Sequence, residues 1–214
     1  MQEEGIRLPS CSLTAPPEFE NLLGEGFETN VVGTYNVLAS SAVEGVKRVI
    51  IASSSSVYGQ LSTPAYEYDI QERLSNFYPL SRKINEITAL LFKNYGLETV
   101  FLRYFNTYGI GENSKGSYSS VIWKFIESMK MGKRPMIFGD GSQRRGFVYV
   151  EDTARASIMA MKKGVSGEAY NIGTGVSTEF NTIFQIIKEE LNYDGIPEYI
   201  PNSLRSYRCS PELT

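Results

Sequence analysis

From Asn30 onward the apolar positions fall at helical spacing: Val31, Val32, Tyr35, Val37, Leu38, Ala42 and Val43, with Gly45 as a stop before Lys47 and Arg48. The period then changes. Val49, Ile50, Ile51 and Ala52 form a short run that is apolar on both faces, the pattern of a strand inside a parallel sheet. The same succession returns further on. Ile84, Ile87, Leu90, Leu91 and Tyr95 share one face of a second helix, Gly96 ends it, and Thr99 to Tyr104 reads as a strand. Helices alternating with buried strands predict an α/β, doubly wound parallel sheet with right-handed crossovers, whose ligand sits beyond the carboxyl ends of the strands. Chemistry is therefore expected at Ser53 to Gly59 and at Phe105 to Gly109, just after the two strands.

The rest of the chain is read more coarsely. Residues 1–27 contain three prolines and no clean period, so they read as loop with at most a short helix around Pro17 to Leu23. A Gly- and Ser-rich loop runs to Ser117, and a helix follows from about Ser119 to Met131. Two β-rich runs then flank Asp140-Gly141, a signal for a hairpin or for a strand exchange between sheets. A helix from Asp152 to Met161, a strand from Ala169 to Ile172 and a last helix from Thr182 to Leu191 complete the pattern.

Composition removes several function classes. Twenty-one Lys and Arg against 24 Asp and Glu leave a net charge of -3, so there is no global field for nucleic acid or an anionic membrane surface. No apolar run approaches the ~18 residues of a membrane span. With no histidine, Ser-His-Asp triads, Cys-His dyads, His-ligated zinc and imidazole proton transfer are all excluded. Any proton-transfer chemistry must use Tyr, Lys, Asp or Glu. The two cysteines, Cys11 and Cys209, match neither a CxxC nor a zinc spacing, which fits a reducing, cytoplasmic location.

Six motifs stand in order along the chain. They are Asn30-Val-Val-Gly33-Thr34-Tyr-Asn36, Ser53-Ser54-Ser55-Ser56-Val57-Tyr58-Gly59, Tyr78-Pro-Leu-Ser81-Arg82, Arg103-Tyr-Phe105-Asn106-Thr-Tyr108-Gly109, Phe138-Gly139-Asp140-Gly141-Ser-Gln143-Arg-Arg145, and Asn171-Ile-Gly173-Thr-Gly175. Together they resemble the extended short-chain dehydrogenase/reductase family, in particular its NAD-dependent nucleotide-sugar epimerases of the UDP-glucose 4-epimerase type. The resemblance runs from about Phe27 to Ile200.

It implies a Rossmann-like domain, NAD as cofactor and a nucleotide-sugar, most simply a UDP-sugar, as substrate. Tyr78 would be the base, Ser54 its hydrogen-bonding partner, and Arg82 the cation one helical turn on. The cofactor would be held by Asn30, Ser54, Tyr78, Arg82 and Phe105. Asn106, Arg145 and Arg205 would hold the substrate. A phenol acting as a base near pH 7 must shift by about three units from its usual value near 10, which calls for a fixed cation close by. The family usually has lysine where this chain has Arg82, and lysine and arginine are not interchangeable at a site that holds a ribose. Lys83 stands about 140° round the helix from Tyr78 and cannot simply take over. The family also commonly has Asp after the arginine matched by Arg145, and here Gly146 follows. Dehydratases of the group carry Thr-Asp-Glu, and decarboxylases often a final Glu, where this chain has Ser54-Ser55-Ser56, so the resemblance favours an epimerase.

The front of the family pattern is missing. No GxxGxxG turn occurs in the 214 residues, and Gly24-Glu25-Gly26 lacks both a preceding strand and a third glycine. The chain starts where the family would already have completed βαβ units of about 30 residues each. The expectation is thus a sequence truncated at both ends, with a sheet flank covered by residues 1–27, by another chain or by nothing. Residues 1–109 and 146–172 are expected to form the remnant of the NAD-binding domain. Residues 110–145 and 173–214 are expected to form an incomplete nucleotide-sugar lobe. Two functions remain: NAD-dependent epimerisation of a nucleotide-sugar, or a catalytically silent remnant that binds nucleotide-sugar weakly or acts only through protein association. The helix pair Asn30 to Val43 and Ser81 to Tyr95 is a candidate homodimer surface, as the family often uses it.

Overall fold

A computed structural model describes residues 6–7, 19, 22–59, 65–69, 74 and 76–201. Its main sheet is parallel and carries strands β1 (Ile6–Arg7), β2 (Arg48–Ser54), β3 (Glu98–Tyr104) and β7 (Ala169–Ile172) in that spatial order. Five strands outside this sheet, numbered in chain order, are β4 (Asn106–Tyr108), β5 (Met136–Phe138), β6 (Arg144–Tyr149), β8 (Ser177–Glu179) and β9 (Glu198–Ile200). The helices are α1 (Leu23–Phe27), α2 (Gly33–Val43), α3 (Phe77–Leu91), α4 (Val121–Lys130), α5 (Val150–Lys163) and α6 (Phe180–Glu190).

Alternation along β2 and β3 builds a layer on each side. Val49, Ile51 and Phe101 face one way and pack with Leu38 of α2, Ala89 of α3, Phe92 and Leu97. Ile50, Val100 and Leu102 face the other way and pack with Ala160 of α5 and Ile172 of β7. This is the doubly wound arrangement expected of strands that are apolar on both faces. On the β1 side, Ile6 and Arg7 lie opposite Arg48 and Val49. A segment of the N-terminal 27 residues thus pairs with the start of β2.

A second, smaller core lies away from the main sheet. Phe125 and Met129 of α4 pack with Ile137 of β5 and with Ile183, Phe184 and Ile187 of α6. Beside it, β4 pairs in parallel with β6, which pairs antiparallel with β8, while β5 pairs in parallel with β9. The runs on either side of Asp140-Gly141 therefore enter different sheets, and the hairpin alternative is corrected to a strand exchange. The arms part because each finds a different partner, β9 for β5 and β4 with β8 for β6, while local bonds close the turn between them. Asp140 accepts from the backbone N–H (3.0 Å) and hydroxyl (2.6 Å) of Ser142, and Gln143 Nε2 donates to the Phe138 carbonyl at 2.8 Å.

The helical region begins earlier than the period suggests. α1 leads through a π-helical stretch, Glu28–Val32, directly into α2. Gly24, Glu25 and Gly26 are thus helical residues, not a loop. At Gly26 a side chain is excluded, since a Cβ would lie 2.8 Å from the Phe19 ring.

Candidate functional site

α3 carries the first candidate residues, and its start is set by local chemistry. Asn76 is extended and its side-chain oxygen accepts from Tyr78 N at 3.1 Å, which caps the helix. Tyr78 and Pro79 both lie in the first turn, where proline's missing N–H removes no helical hydrogen bond. Tyr78 is 6% exposed, and the Phe19 ring meets it edge-on at 6.1 Å.

One turn on, Arg82 is 5% exposed and its Cζ stands 5.1 Å from the centroid of the Tyr78 ring. Its Nη1 donates to the Ala52 carbonyl at 3.2 Å, two residues before Ser54. Tyr78, Arg82 and the end of β2 are thereby brought together. Ser54, the last residue of β2, accepts from Ser56 N at 3.2 Å and so caps the tight helical turn Ser55–Tyr58, on which α3 packs. Lys83 is spent elsewhere, donating to Glu86 at 3.3 Å.

Asn30 is fully buried between helices. Its amide nitrogen is 3.4 Å from Ser81 Oγ, and its carbonyl accepts from Thr34 Oγ1 (2.6 Å) and Asn85 Nδ2 (2.9 Å). In this arrangement Asn30 braces the helix that carries Tyr78. Phe105 leaves the end of β3, is buried against Val57, Tyr58 and Ala65, and lies so close to Gly173 that a Cβ there would be 3.1 Å from its ring. Asn106 opens β4 opposite Phe147 of β6, and its amide donates to the Gly146 carbonyl at 3.0 Å. That bond puts Asn106 beside Arg145, which sits on β6 opposite Thr178 and donates from Nη1 to the Arg144 carbonyl at 2.6 Å. Arg205 lies outside the described residues.

Ser54 ends β2 and Phe105 follows β3, so these two stand at the carboxyl ends of the parallel strands. A cleft of about 280 Å³ opens there, lined by Ala65, Tyr66, Glu67, Phe105, Asn171, Gly173 and Gly175. Among the described residues, Phe105 is the one expected site residue in this lining. The residues that would hold the nicotinamide end of NAD, Ser54, Tyr78 and Arg82, lie at the end of β2 and the start of α3, and not in this lining. For the pyrophosphate, the sequence offers no glycine-rich turn.

A buried polar network that the motifs did not announce lies under the cleft. Arg103 Nε and Nη2 each donate to one oxygen of Glu86, both at 2.9 Å, and Ser53 Oγ donates to the same carboxylate at 2.6 Å. Arg103 Nη1 reaches Tyr58 Oη and the Glu67 carbonyl, each at 2.9 Å. Burial opposes the Glu86 charge, but the Arg103 and Ser53 hydrogen bonds outweigh it and hold the carboxyl below its usual range. Burial dominates at Tyr58 and pushes its phenol up, against the pull of Arg103. The signal for this network was in the sequence: a lone arginine within the apolar run Thr99 to Tyr104 requires a buried partner.

Among the described residues there is no cluster of His, Cys, Asp and Glu that could hold a metal ion, and no helix long and apolar enough to cross a membrane.

Residues 14–173 match the model of the NAD dependent epimerase/dehydratase family. A putative UDP-glucose 4-epimerase of Methanocaldococcus jannaschii is 40% identical over 179 residues, covering 82% of this chain and 57% of that protein. A UDP-N-acetyl-alpha-D-glucosaminuronate decarboxylase of Bacillus cytotoxicus is 36% identical over 170 residues, covering 77% of this chain and 52% of that one. The chain thus spans about half the length of these curated relatives. Among solved structures, the UDP-glucose 4-epimerase of Thermotoga maritima with UDP-glucose superposes at a TM-score of 0.90 and 30% identity, covering 98% of this chain and 68% of that one. The Thermus thermophilus UDP-glucose 4-epimerase complex with NAD gives 0.82 at 25% identity, covering 92% and 65%.

Proposed function

The chain belongs to the NAD dependent epimerase/dehydratase family, and from that membership we propose that it epimerises a nucleotide-sugar, UDP-glucose or UDP-galactose, with NAD as cofactor and Tyr78 as base. The observation that carries this reading is Tyr78 in the first turn of α3 with Arg82 over its ring and tied to the end of β2. NAD, when bound, supplies a reversible hydride acceptor. Ser54, Tyr78, Arg82 and Phe105 would hold its nicotinamide end, with Asn30 bracing the helix behind them. Tyr78 takes the proton of the sugar hydroxyl on its phenolate oxygen and returns it when the hydroxyl is restored, while Ser54 hydrogen-bonds the same oxygen. Arg145 pairs its forked cation with the substrate diphosphate, and Asn106 fixes the nucleotide side.

The proposed division of labour cuts across one sheet, since β4, β6 and β8 draw on both sides of it. Residues 1–109 and 146–172 supply the cofactor side, and 110–145 and 173–214 supply the sugar side. A second copy of the chain would cover the outer faces of α2 and α3, where Tyr35 is 51%, Ile87 54% and Leu91 60% exposed. The location proposed is the cytoplasm.

Titration of the purified 214-residue chain with NAD, followed by an assay for conversion of UDP-galactose to UDP-glucose, tests the reading. Binding at micromolar NAD with turnover is the expected result; no binding at millimolar NAD overturns it for this polypeptide.

One observation favours the silent-remnant alternative, in which nucleotide-sugar binds without turnover. Arg82 is folded onto Tyr78 and the Ala52 carbonyl, so its cation is engaged inside the protein and not presented to a ribose. Arg82→Lys separates the two. Lysine gives up the stack but returns a slender ammonium. The variant is expected to raise turnover at least about threefold. A fall would show that the site is adapted to arginine.

A further inference from the structure

The segment 65–67 forms one wall of the cleft, and side chains from β3 and β7 hold it. Arg103 Nη1 donates to the Glu67 carbonyl at 2.9 Å, and Asn171 Nδ2 donates to the Ala65 carbonyl at 2.8 Å. In return Glu67 Oε1 accepts from Asn171 N at 2.8 Å. Tyr58 links the two holders: its hydroxyl accepts from Arg103 Nη1 at 2.9 Å and donates to Asn171 Oδ1 at 2.7 Å. The Arg103 guanidinium also stands over the Tyr58 ring, 4.9 Å from its centroid.

Arg103 is in turn fixed by the two-pronged contact with Glu86 on α3, the helix that carries Tyr78 eight residues earlier. A continuous chain of polar contacts therefore runs from that helix, through β3 and the turn after β2, to the cleft wall. Such a network has one low-energy arrangement when every member is satisfied, so it transmits position and not merely stability.

We propose that Tyr58, Arg103 and Asn171 are positioning residues that hold the segment 65–67 as a wall of the nucleotide-sugar cleft and lock it to the Tyr78 helix. This deepens the epimerase reading, on which the identity of the ligand rests. Tyr58 is suited to the role because its phenol is one donor and one acceptor at the junction, and its ring stays packed whatever the hydroxyl does. Tyr66 and Glu67 line the cleft directly, so a shift of this segment changes the cleft's shape beside Phe105.

The test compares the full chain with Tyr58→Phe, which keeps the ring and deletes both hydroxyl bonds. Amide hydrogen exchange is followed at Tyr66, Asp69 and Asn171, and UDP-glucose is titrated in parallel. Exchange at these three amides should rise about tenfold while the amides of α4 stay unchanged, and the UDP-glucose Kd should weaken about three- to tenfold. Unchanged exchange at 65–69 overturns the proposal, and so does a loosened segment with unaltered affinity. If UDP-glucose binds neither protein while exchange still responds at these three amides alone, the positioning stands and the ligand assignment is what fails. Should Tyr58→Phe raise exchange everywhere, Asn171→Ala at the end of β7 decides by the same measure. A rise confined to the three amides supports the proposal, and a rise shared with α4, or none, overturns it.

Discussion

Tyr78→Phe is expected to lower the conversion of UDP-galactose to UDP-glucose by about 10³-fold while leaving the nucleotide-sugar Kd within about twofold of the wild type. General acid–base groups contribute 10²- to 10⁴-fold, and here one phenol oxygen both removes and returns the proton. The change deletes that oxygen and little else. The phenyl ring keeps its edge-on contact with Phe19 and its place beneath Arg82, and the cap from Asn76 goes to the backbone N–H. A loss of turnover without a loss of binding is the signature of an interaction made at the reacting atoms. Activity that survives the change would remove Tyr78 as the base. A matched fall in binding and in thermal stability would instead make it a packing residue of the helix start.

How far this site could be read in advance differs from element to element. The short strands inside the main sheet were legible because both of their faces are apolar, and only a doubly covered sheet buries such a run. The amphipathic helices were legible as helices, but the faces they bury were not. On α3 the apolar stripe through Ile87 and Leu91 points outward, while Ser81, Arg82, Asn85 and Glu86 are buried. The usual rule inverts here because the inward face carries polar work, and each of these four residues hydrogen-bonds to a neighbouring element. Partners brought from 17 to 55 residues away, such as Arg103 for Glu86 or Asn30 for Asn85, have no signature in local spacing. The strand exchange at Asp140 was left open for a related reason. A turn signal says that the chain reverses or breaks, whereas the sheet that receives each arm is decided by contacts made elsewhere. Candidate site residues were visible only as members of ordered motifs, and their grouping at the strand ends depended on the topology.

The buried pair beneath the cleft gives the largest expected effect on stability. Arg103→Met is expected to cost about 3 kcal/mol or more, because it leaves the Glu86 carboxylate 5% exposed with only Ser53 and the half-exposed Lys83 as partners. At about 2–4 °C per kcal/mol for a chain of this size, the melting temperature should fall by roughly 6 °C or more. Acid relieves the defect. In the wild type Glu86 is held below its ordinary value of 4.5, so its contribution is complete above that value and is lost as pH falls through the lower folded value. In the variant, burial is opposed only by Ser53 and Lys83, so the folded value rises from its wild-type position and the penalty felt at neutral pH is lifted as Glu86 takes a proton. The gap between the two melting curves should therefore be widest near pH 7 and narrow towards pH 4. Replacing both partners in Glu86→Leu/Arg103→Met removes the stranded charge, so the double variant should melt above Arg103→Met alone. If the double variant is no better, the cost lies in lost packing around the guanidinium, which also touches Tyr58 and the Glu67 carbonyl, and not in the uncompensated carboxylate.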